Sequence, residues 1–285
     1  ANNRPVIPFL TLSFVEMIKS IRTTLLLLLL LNGASAQVGV GQWRVHLPYT
    51  AATCVEVTPE SVYCGTRQGL FAVSRADFEL RTLSRINGMT DPGITYLRYS
   101  APHQTLVITY ESGNIDLLRN GRFTMIDAIV RANIPGSKRI NHIYLKDRFA
   151  YLSCDFGIVE LDLERSEIRN TFIIGPEGSR LPVYALTSDS LNFYAATESG
   201  MYVAALDAPN LSNYAFWQPE ATFDGQPLRH IAHFNGAVLT IQGDELLRYR
   251  AGSWIGQVLD AGFENTSLTV RNGHLLVTNS FRVNE

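Results

Sequence analysis

The sequence predicts an all-β fold, a β-propeller of four-stranded blades. A glycine recurs in a turn at spacings of 43 or 44 residues, and each repeat carries four short apolar segments separated by polar turns. No segment shows the 3.6-residue apolar spacing of a helix over ten or more residues. The chain is 46% apolar and 18% charged, which is typical of a folded protein rather than a disordered one.

The repeat is defined by its turn glycines. Their spacings are 44, 44, 43 and 43 residues. Four strands in about 43 residues is the period of a propeller blade. Each glycine lies between the second and third apolar segments, where a tight hairpin favours positive φ. The five are Gly69, Gly113, Gly157, Gly200 and Gly243.

Each repeat begins and ends with an apolar segment that predicts a strand. The predicted first strands are Thr53–Val57, Ile94–Tyr99, Ile140–Leu145, Val183–Thr187, Leu228–Phe234 and Ser267–Val270. The predicted fourth strands are Phe78–Leu83, Arg122–Ile126, Ile168–Ile173, Tyr214–Trp217 and Trp254–Leu259. A weaker copy of the second strand begins at Leu275, so we expect five complete blades and part of a sixth. Inner strands are covered on both faces in such a fold and need not alternate.

The N-terminal segment has the pattern of a secretory signal peptide. Lys19 and Arg22 precede seven leucines, and the 14-residue apolar stretch from Thr23 to Ala36 is shorter than the ~20 residues of a membrane span. We therefore expect an exported protein, in the periplasm or at the outer-membrane cell surface, with cleavage between Ala36 and Gln37. The predicted divisions are an upstream extension or artefact at 1–16, a signal peptide at 17–36 and a truncated propeller at 37–285.

The edge of the last blade needs a partner strand if the ring is to close. The segment Gln42–His46 precedes the first complete blade, and its tryptophan resembles those of the predicted fourth strands. We expect it to form the outer strand of the last blade.

Two cysteines flank the first predicted hairpin. Cys54 and Cys64 lie opposite each other if paired positions sum to 118, and a disulfide then becomes feasible in an exported chain. A register shifted by one residue separates them. Both alternatives remain open from the sequence, and Cys154 is expected to be a small buried apolar residue.

The sequence shows no motif for catalysis, metal binding or a cofactor. The net charge of −2 and pI of about 6.3 disfavour nucleic acid as a partner. His230 and His233 form an H-x-x-H, but on a strand these two side chains point to opposite faces. Carboxylates paired in space would allow a polysaccharide lyase or hydrolase. The candidates are Glu111, Asp116, Asp155, Glu160, Asp162 and Glu198.

Three of these carboxylates, Glu111, Asp155 and Glu198, lie at or next to the same turn of the repeat, so a shared role in that turn is the simpler explanation. Seven tyrosines are candidates for a glycan-binding face, because aromatic rings stack on sugars. Most of them lie in predicted strands, where we expect their rings to pack in the protein interior. The seven are Tyr49, Tyr63, Tyr99, Tyr110, Tyr144, Tyr184 and Tyr202.

Several motifs resemble known propeller families. Residues 62–71 (VYCGTRQGLF) resemble the two-component-regulator propeller repeat, L-W-I-G-T-x-x-G-L-Y, and residues 85–91 (RINGMTD) resemble its N-G-L-S-D linker. Residues 43–49 (WRVHLPY) are similar to the opening of the PorZ family, which belongs to the type IX secretion system of Bacteroidota. Residues 110–116 (YESGNID) are similar to the second-blade hairpin of that family.

The resemblance to the PorZ family implies a non-enzymatic component of the attachment complex at the outer-membrane surface. Such proteins carry two seven-bladed propellers and a C-terminal β-sandwich, so this chain would be the first propeller. The implied partners are anionic lipopolysaccharide and the proteins PorU, PorV and PorQ. No ligand-binding motif transfers to named residues here. Two alternatives are a glycan-sensing periplasmic propeller of a hybrid two-component system and a polysaccharide lyase or hydrolase.

Overall fold

The chain divides into two units, residues 1–46 and 47–285. The computed structural model describes residues 19, 21–24, 49–250, 252–259, 262–271 and 273–281. In the first unit residues 21–24 are helical, and no helix in the described ranges has the length and hydropathy needed to cross a membrane. The predicted cleavage site at Ala36 and Gln37 and the predicted closing strand Gln42–His46 lie outside the described residues.

The second unit consists of consecutive antiparallel sheets, five with four strands and one with two, which confirms the propeller prediction. Blade I contains β1 (Ala52–Val57), β2 (Ser61–Thr66), β3 (Leu70–Ser74) and β4 (Leu80–Leu83). Blade II contains β5 (Ile94–Ser100), β6 (Thr105–Tyr110), β7 (Ile115–Arg119) and β8 (Arg122–Ile126). Blade III contains β9 (Ile140–Lys146), β10 (Phe149–Cys154), β11 (Gly157–Asp162) and β12 (Glu167–Phe172).

The remaining blades repeat this order. Blade IV contains β13 (Val183–Ser188), β14 (Asn192–Thr197), β15 (Gly200–Ala205) and β16 (Gln218–Pro219). Blade V contains β17 (Ile231–Phe234), β18 (Ala237–Gln242), β19 (Glu245–Arg250) and β20 (Ser253–Val258). The sixth sheet contains β21 (Phe263–Arg271) and β22 (His274–Phe281). Short helices lie between neighbouring blades at Arg85–Asn87, Ala128–Arg131, Pro176–Gly178 and Ala221–Phe223, and within blade IV, between β15 and β16, at Tyr214–Phe216.

The predicted fourth strand Tyr214–Trp217 is wrong. Tyr214–Phe216 forms a short 3-10 helix, and the fourth strand of blade IV is only the two residues of β16. The Trp217 ring is 3% exposed and stacks 6.3 Å from Phe193, so its apolar surface fills the core instead of extending a strand. Pro219 also lacks the N–H that a longer strand pairing would need.

The hydrophobic core lies in the layers between successive blades. Leu117 and Val107 of blade II pack with Leu152 of blade III, and Ile158 of blade III packs with Phe193 of blade IV. Because each inner strand touches a neighbouring blade on both sides, every residue of β6 and β11 is buried. This confirms that strands need not alternate when both faces are covered.

The turn glycines of the repeat take positive φ in four blades, with values of +88° at Gly113, +140° at Gly157, +113° at Gly200 and +60° at Gly243. Gly69 does not, and the prediction is wrong there. Its position has a different constraint, since a Cβ would lie 2.8 Å from the carbonyl oxygen of Leu83. The turn therefore demands glycine in blade I through close backbone approach rather than through φ.

One backbone hydrogen bond recurs across three blades. The amides of Glu111, Asp155 and Glu198, which follow the second strands, donate to the residue just before the first strand of the same blade. The acceptors are the carbonyls of Gly93, Arg139 and Pro182, at 3.0, 3.1 and 3.1 Å. The turn role expected for these residues is a backbone role: in these three blades the bond joins the end of the second strand to the residue before the first strand.

Candidate ligand site at the mouth of the central channel

The first strands of the blades surround the centre of the ring, with contacts from β1 to β5, β5 to β9, β9 to β13, β13 to β17 and β17 to β21. Side chains at or near the beginnings of β5, β9, β13 and β17, with the middle of β21, enclose a cavity of about 260 Å³. The lining residues are Tyr96, Asn141, His142, Tyr184, Ala185, Arg229, His230, Ile231, Ser267, Leu268 and Thr269.

Asn141 ties two blades together at this mouth. Its side-chain amide nitrogen donates to a carboxylate oxygen of Asp155 at 2.8 Å and to the carbonyl of Val183 at 2.9 Å. The next residue, His142, meets the Tyr96 ring edge-on with 5.2 Å between ring centres. These contacts hold the walls contributed by blades II, III and IV in fixed positions.

Arg229 is a positively charged side chain held at the cavity edge. It precedes β17 and is exposed, and its guanidinium carbon lies 4.6 Å from the centre of the Tyr184 ring. A cation over an aromatic face is stabilised by about 0.5–1 kcal/mol at an exposed site. The stacking orders a side chain that would otherwise be mobile, and it joins two neighbouring blades, since Tyr184 is in β13 and Arg229 lies just before β17.

The two histidines of the cavity are neutral at pH 7. Burial, and then the neighbouring His230, lower the pKa of His142 to about 4. Burial also lowers the pKa of His230, and Arg229 contributes to the same shift. The Nδ1 atom of His142 is buried without a hydrogen-bond partner among the described atoms. The described residues contain no group of three His, Cys, Asp or Glu side chains suited to a metal ion.

Deeper in the channel, one buried carboxylate connects three blades. Glu56 of β1 is 6% exposed and accepts a hydrogen bond of 2.6 Å from Arg271 of β21, and Arg98 of β5 lies 3.9 Å away. Burial raises the pKa of Glu56, and the nearby Arg271 opposes that rise. Because two arginines surround one carboxylate, this cluster of three side chains carries a net positive charge.

The candidate catalytic carboxylates serve internal hydrogen bonds. Asp116 is fully buried and accepts from the Thr90 amide at 2.8 Å, the Thr90 hydroxyl at 2.6 Å and the Tyr110 hydroxyl at 2.6 Å. Glu160 accepts from Asn170 at 2.6 Å. Asp162 accepts from two backbone amides of the β11–β12 turn. None of the predicted carboxylates lies among the described residues that line the cavity.

The predicted sugar-stacking tyrosines are dispersed, and Tyr184 is the member of that set that lines the cavity. Tyr110 and Tyr202 are buried. Tyr144 bonds Ser188, and Tyr49 meets Phe71 edge-on. The last two of the set, Tyr63 and Tyr99, line a separate cavity of about 340 Å³.

Sequence reasoning named Tyr184 and His230 of the cavity but missed Tyr96, Asn141, His142 and Arg229, and four of these six residues occupy two adjacent positions of the repeat. Asn141 and Tyr184 are the second residues of their strands, and Tyr96 and His142 are the third residues of theirs. Polar or aromatic residues at the second and third positions of the first strands were a usable signal. The H-x-x-H motif contributes only His230 to the lining, while His233 does not line it.

The two cysteines of the first hairpin are paired one residue out of register for a bridge. Cys54 lies opposite Gly65, and Cys64 lies opposite Val55. Since neighbouring residues of a strand point to opposite faces, the two side chains are on different sides of the sheet. Both are free thiols in the structure, and Cys154 is free and buried, as predicted.

A succession of five four-stranded antiparallel sheets and one two-stranded sheet, with the first strands around a channel, defines a β-propeller. Its overall structure is similar to PorZ, described as an essential bacterial surface component of the type IX secretion system of Porphyromonas gingivalis. The identity is 21% and the TM-score 0.66, over 76% of this chain and 29% of that one.

Two extracellular domains assigned to hybrid two component systems of B. thetaiotaomicron are also similar. One is 12% identical with a TM-score of 0.62, over 83% of this chain and 34% of that one. The other is 14% identical with a TM-score of 0.61, over 84% of this chain and 33% of that one. These identities establish the fold alone.

The family model of the PorZ N-terminal β-propeller domain of the type IX secretion system matches residues 62–218. The chain belongs to this family, as the sequence motifs predicted. It spans about a third of the length of the solved structures it resembles. Comparison with curated proteins gave no match.

Proposed function

We propose that this propeller is the N-terminal binding domain of a non-enzymatic component of the type IX secretion system. In this role it acts at the outer-membrane surface and binds anionic lipopolysaccharide, with PorU-, PorV- and PorQ-like proteins as partners in cargo attachment. The family match across residues 62–218 is the observation that carries this proposal.

The charge distribution of the channel supports an anionic ligand. Arg229 is at the mouth, and Arg98 and Arg271 are deeper, beside the carboxylate of Glu56. Positive potential in a concave site concentrates anions from solution. The internal engagement of Asp116, Glu160 and Asp162 agrees with binding rather than hydrolysis.

The test is retention of lipopolysaccharide by the full-length protein. Purified protein is immobilised and exposed to anionic lipopolysaccharide and to a lipopolysaccharide that lacks the anionic polymer, with an unrelated propeller as the control. We expect selective retention of the anionic form that weakens as salt increases, because the attraction is screened. Retention no greater than that of the unrelated propeller contradicts the lipopolysaccharide role.

A second candidate function is the sensing of glycan fragments, supported by the similarity to the two extracellular sensor domains. In that case the gene continues into a membrane span and a histidine kinase domain, and added oligosaccharides change the phosphorylation of that kinase. The DNA sequence beyond the codon for Glu285 separates the two proposals. A second propeller and a β-sandwich domain favour the secretion role, and a kinase domain favours the sensor role.

A further inference from the structure

We propose that the channel mouth binds one sugar unit carrying a phosphate or carboxylate group, with the Arg229 guanidinium paired to that group. This inference rests on the proposed function, because it names the site at which an anionic glycan is held. It assigns the site to the cavity formed by Tyr96, Asn141, His142, Tyr184, Arg229 and His230.

The charge of the cavity favours an anion. Arg229 carries a full positive charge at pH 7, the two histidines are neutral, and no acidic residue is among the described residues of the lining. Asp155 lies behind Asn141, whose side-chain amide nitrogen donates one hydrogen bond to Asp155 and one to the carbonyl of Val183, so this nitrogen has no further hydrogen to donate to a ligand. A planar guanidinium matches a carboxylate or phosphate with two parallel hydrogen bonds.

The remaining polar groups suit sugar hydroxyls. The imidazoles, the Asn141 carbonyl oxygen and the hydroxyls of Ser267 and Thr269 provide both donors and acceptors around one cavity. The buried Nδ1 of His142 has no partner among the described atoms. Because an unsatisfied buried polar atom is costly, a hydroxyl or a water that reaches this nitrogen is favoured.

The size of the cavity limits the ligand to a single unit. A volume of about 260 Å³ is slightly below the range of roughly 300–1,000 Å³ for drug-sized molecules. Arg229 is already ordered by its stacking on Tyr184, so less side-chain freedom is lost when the anion binds. A long polymer would therefore place one charged unit in the mouth and continue outward.

The experiment measures binding by the full-length protein with glucose 6-phosphate, glucuronate, glucose and inorganic phosphate as probes. Calorimetry or ligand-observed NMR gives the four affinities. We expect binding of glucose 6-phosphate or glucuronate to be at least roughly tenfold tighter than that of glucose or of inorganic phosphate. The charged sugar that binds tighter identifies the anionic group.

Two variants locate the site. Arg229→Gln should weaken binding of the charged sugar roughly 10- to 100-fold, and Arg229→Lys should retain part of it. The matched control is Arg165→Gln, since Arg165 is also exposed and lies in the β11–β12 turn, at the end of blade III opposite the start of β9. Its affinity should equal that of the wild type. Arg229 is exposed, so the thermal midpoints of all variants should agree closely.

The outcomes separate this inference from the proposed function. Retention of anionic lipopolysaccharide by wild-type protein and by Arg229→Gln alike overturns the site and leaves the proposed function intact. Binding of the charged sugar without retention of lipopolysaccharide supports the site and overturns the lipopolysaccharide role. Equal affinity for inorganic phosphate and the sugar phosphate overturns the assignment of a sugar.

Discussion

The turn glycine of blade IV offers a sharp test of why the repeat needs glycine. A Cβ added to Gly200 would lie 2.2 Å from the carbonyl oxygen of Phe223, and the residue has φ of +113°. Phe223 is 1% exposed and packs edge-on against Trp254, with 4.9 Å between ring centres. Its carbonyl therefore cannot retreat without opening the contact between blades IV and V.

The expected cost of Gly200→Ala follows from these two constraints. A positive φ costs an alanine about 1–2 kcal/mol, and overpacking against fixed atoms adds about 1–3 kcal/mol. We expect a loss of about 3.5 kcal/mol in the local stability of blade IV, which corresponds to a roughly 300-fold loss of protection.

The assay is hydrogen exchange of β14 and β15 in the full-length protein, followed by mass spectrometry, because local opening free energies are read directly from protection. Gly236→Ala is the matched control. Gly236 has φ of +73°, but its added Cβ meets nothing within 4 Å. Only the backbone term applies there, so exchange in β17 and β18 should accelerate about tenfold. If the losses of hydrogen-exchange protection in the two variants agree within about threefold, the contact between the added Cβ and the Phe223 carbonyl is not what makes glycine necessary at position 200.

The remaining predictions concern the buried network, the thiols and acid stability. Asp116→Asn removes charge from an acceptor of three hydrogen bonds and should destabilise the protein by about 2–3 kcal/mol in thermal melts, whereas the exposed Asp207→Asn should change stability by less than about 0.5 kcal/mol. Unfolding without reductant followed by alkylation should label three cysteines, and a mass showing one label would establish the bridge. In the native protein burial raises the pKa of Cys54 to about 11, so its alkylation should be slow at pH 8 and accelerate with pH. Because the folded pKa of His142, about 4, is below its ordinary 6.5, unfolding takes up a proton, stability should fall between pH 6.5 and 4, and His142→Gln should reduce that slope.

Local patterns in the chain account for most of the strand assignments. The fourth strand Arg122–Ile126 was predicted with its observed bounds, and the first strands Ile94–Ser100 and Ile140–Lys146 differ from prediction by one residue. Short apolar runs between turn residues are sufficient there because each strand pairs with its neighbour in sequence. The strand predicted at Tyr214–Trp217 is wrong because Trp217 packs in the core between blades, a contact that a local pattern does not reveal.

The residues of the candidate site could not be predicted from local sequence patterns. His142, Tyr184 and Arg229 are separated by more than 40 residues from one to the next, and each is unremarkable in its own repeat. The carboxylates and most of the tyrosines that seemed chemically informative are instead engaged in hydrogen bonds, packing or other surfaces. The site exists because the ring brings the beginnings of several inner strands to one opening.

The repeat, the strand order, the turn positions and the family could be predicted from the chain, because each depends on residues close together in it. The one-residue register that separates Cys54 from Cys64, the close backbone approach at Gly69 and the group of residues at the channel mouth became visible only in the folded structure. These depend on contacts between strands or between blades, and on burial that sets the charge of His142. Such quantities arise only when distant segments are brought together in space.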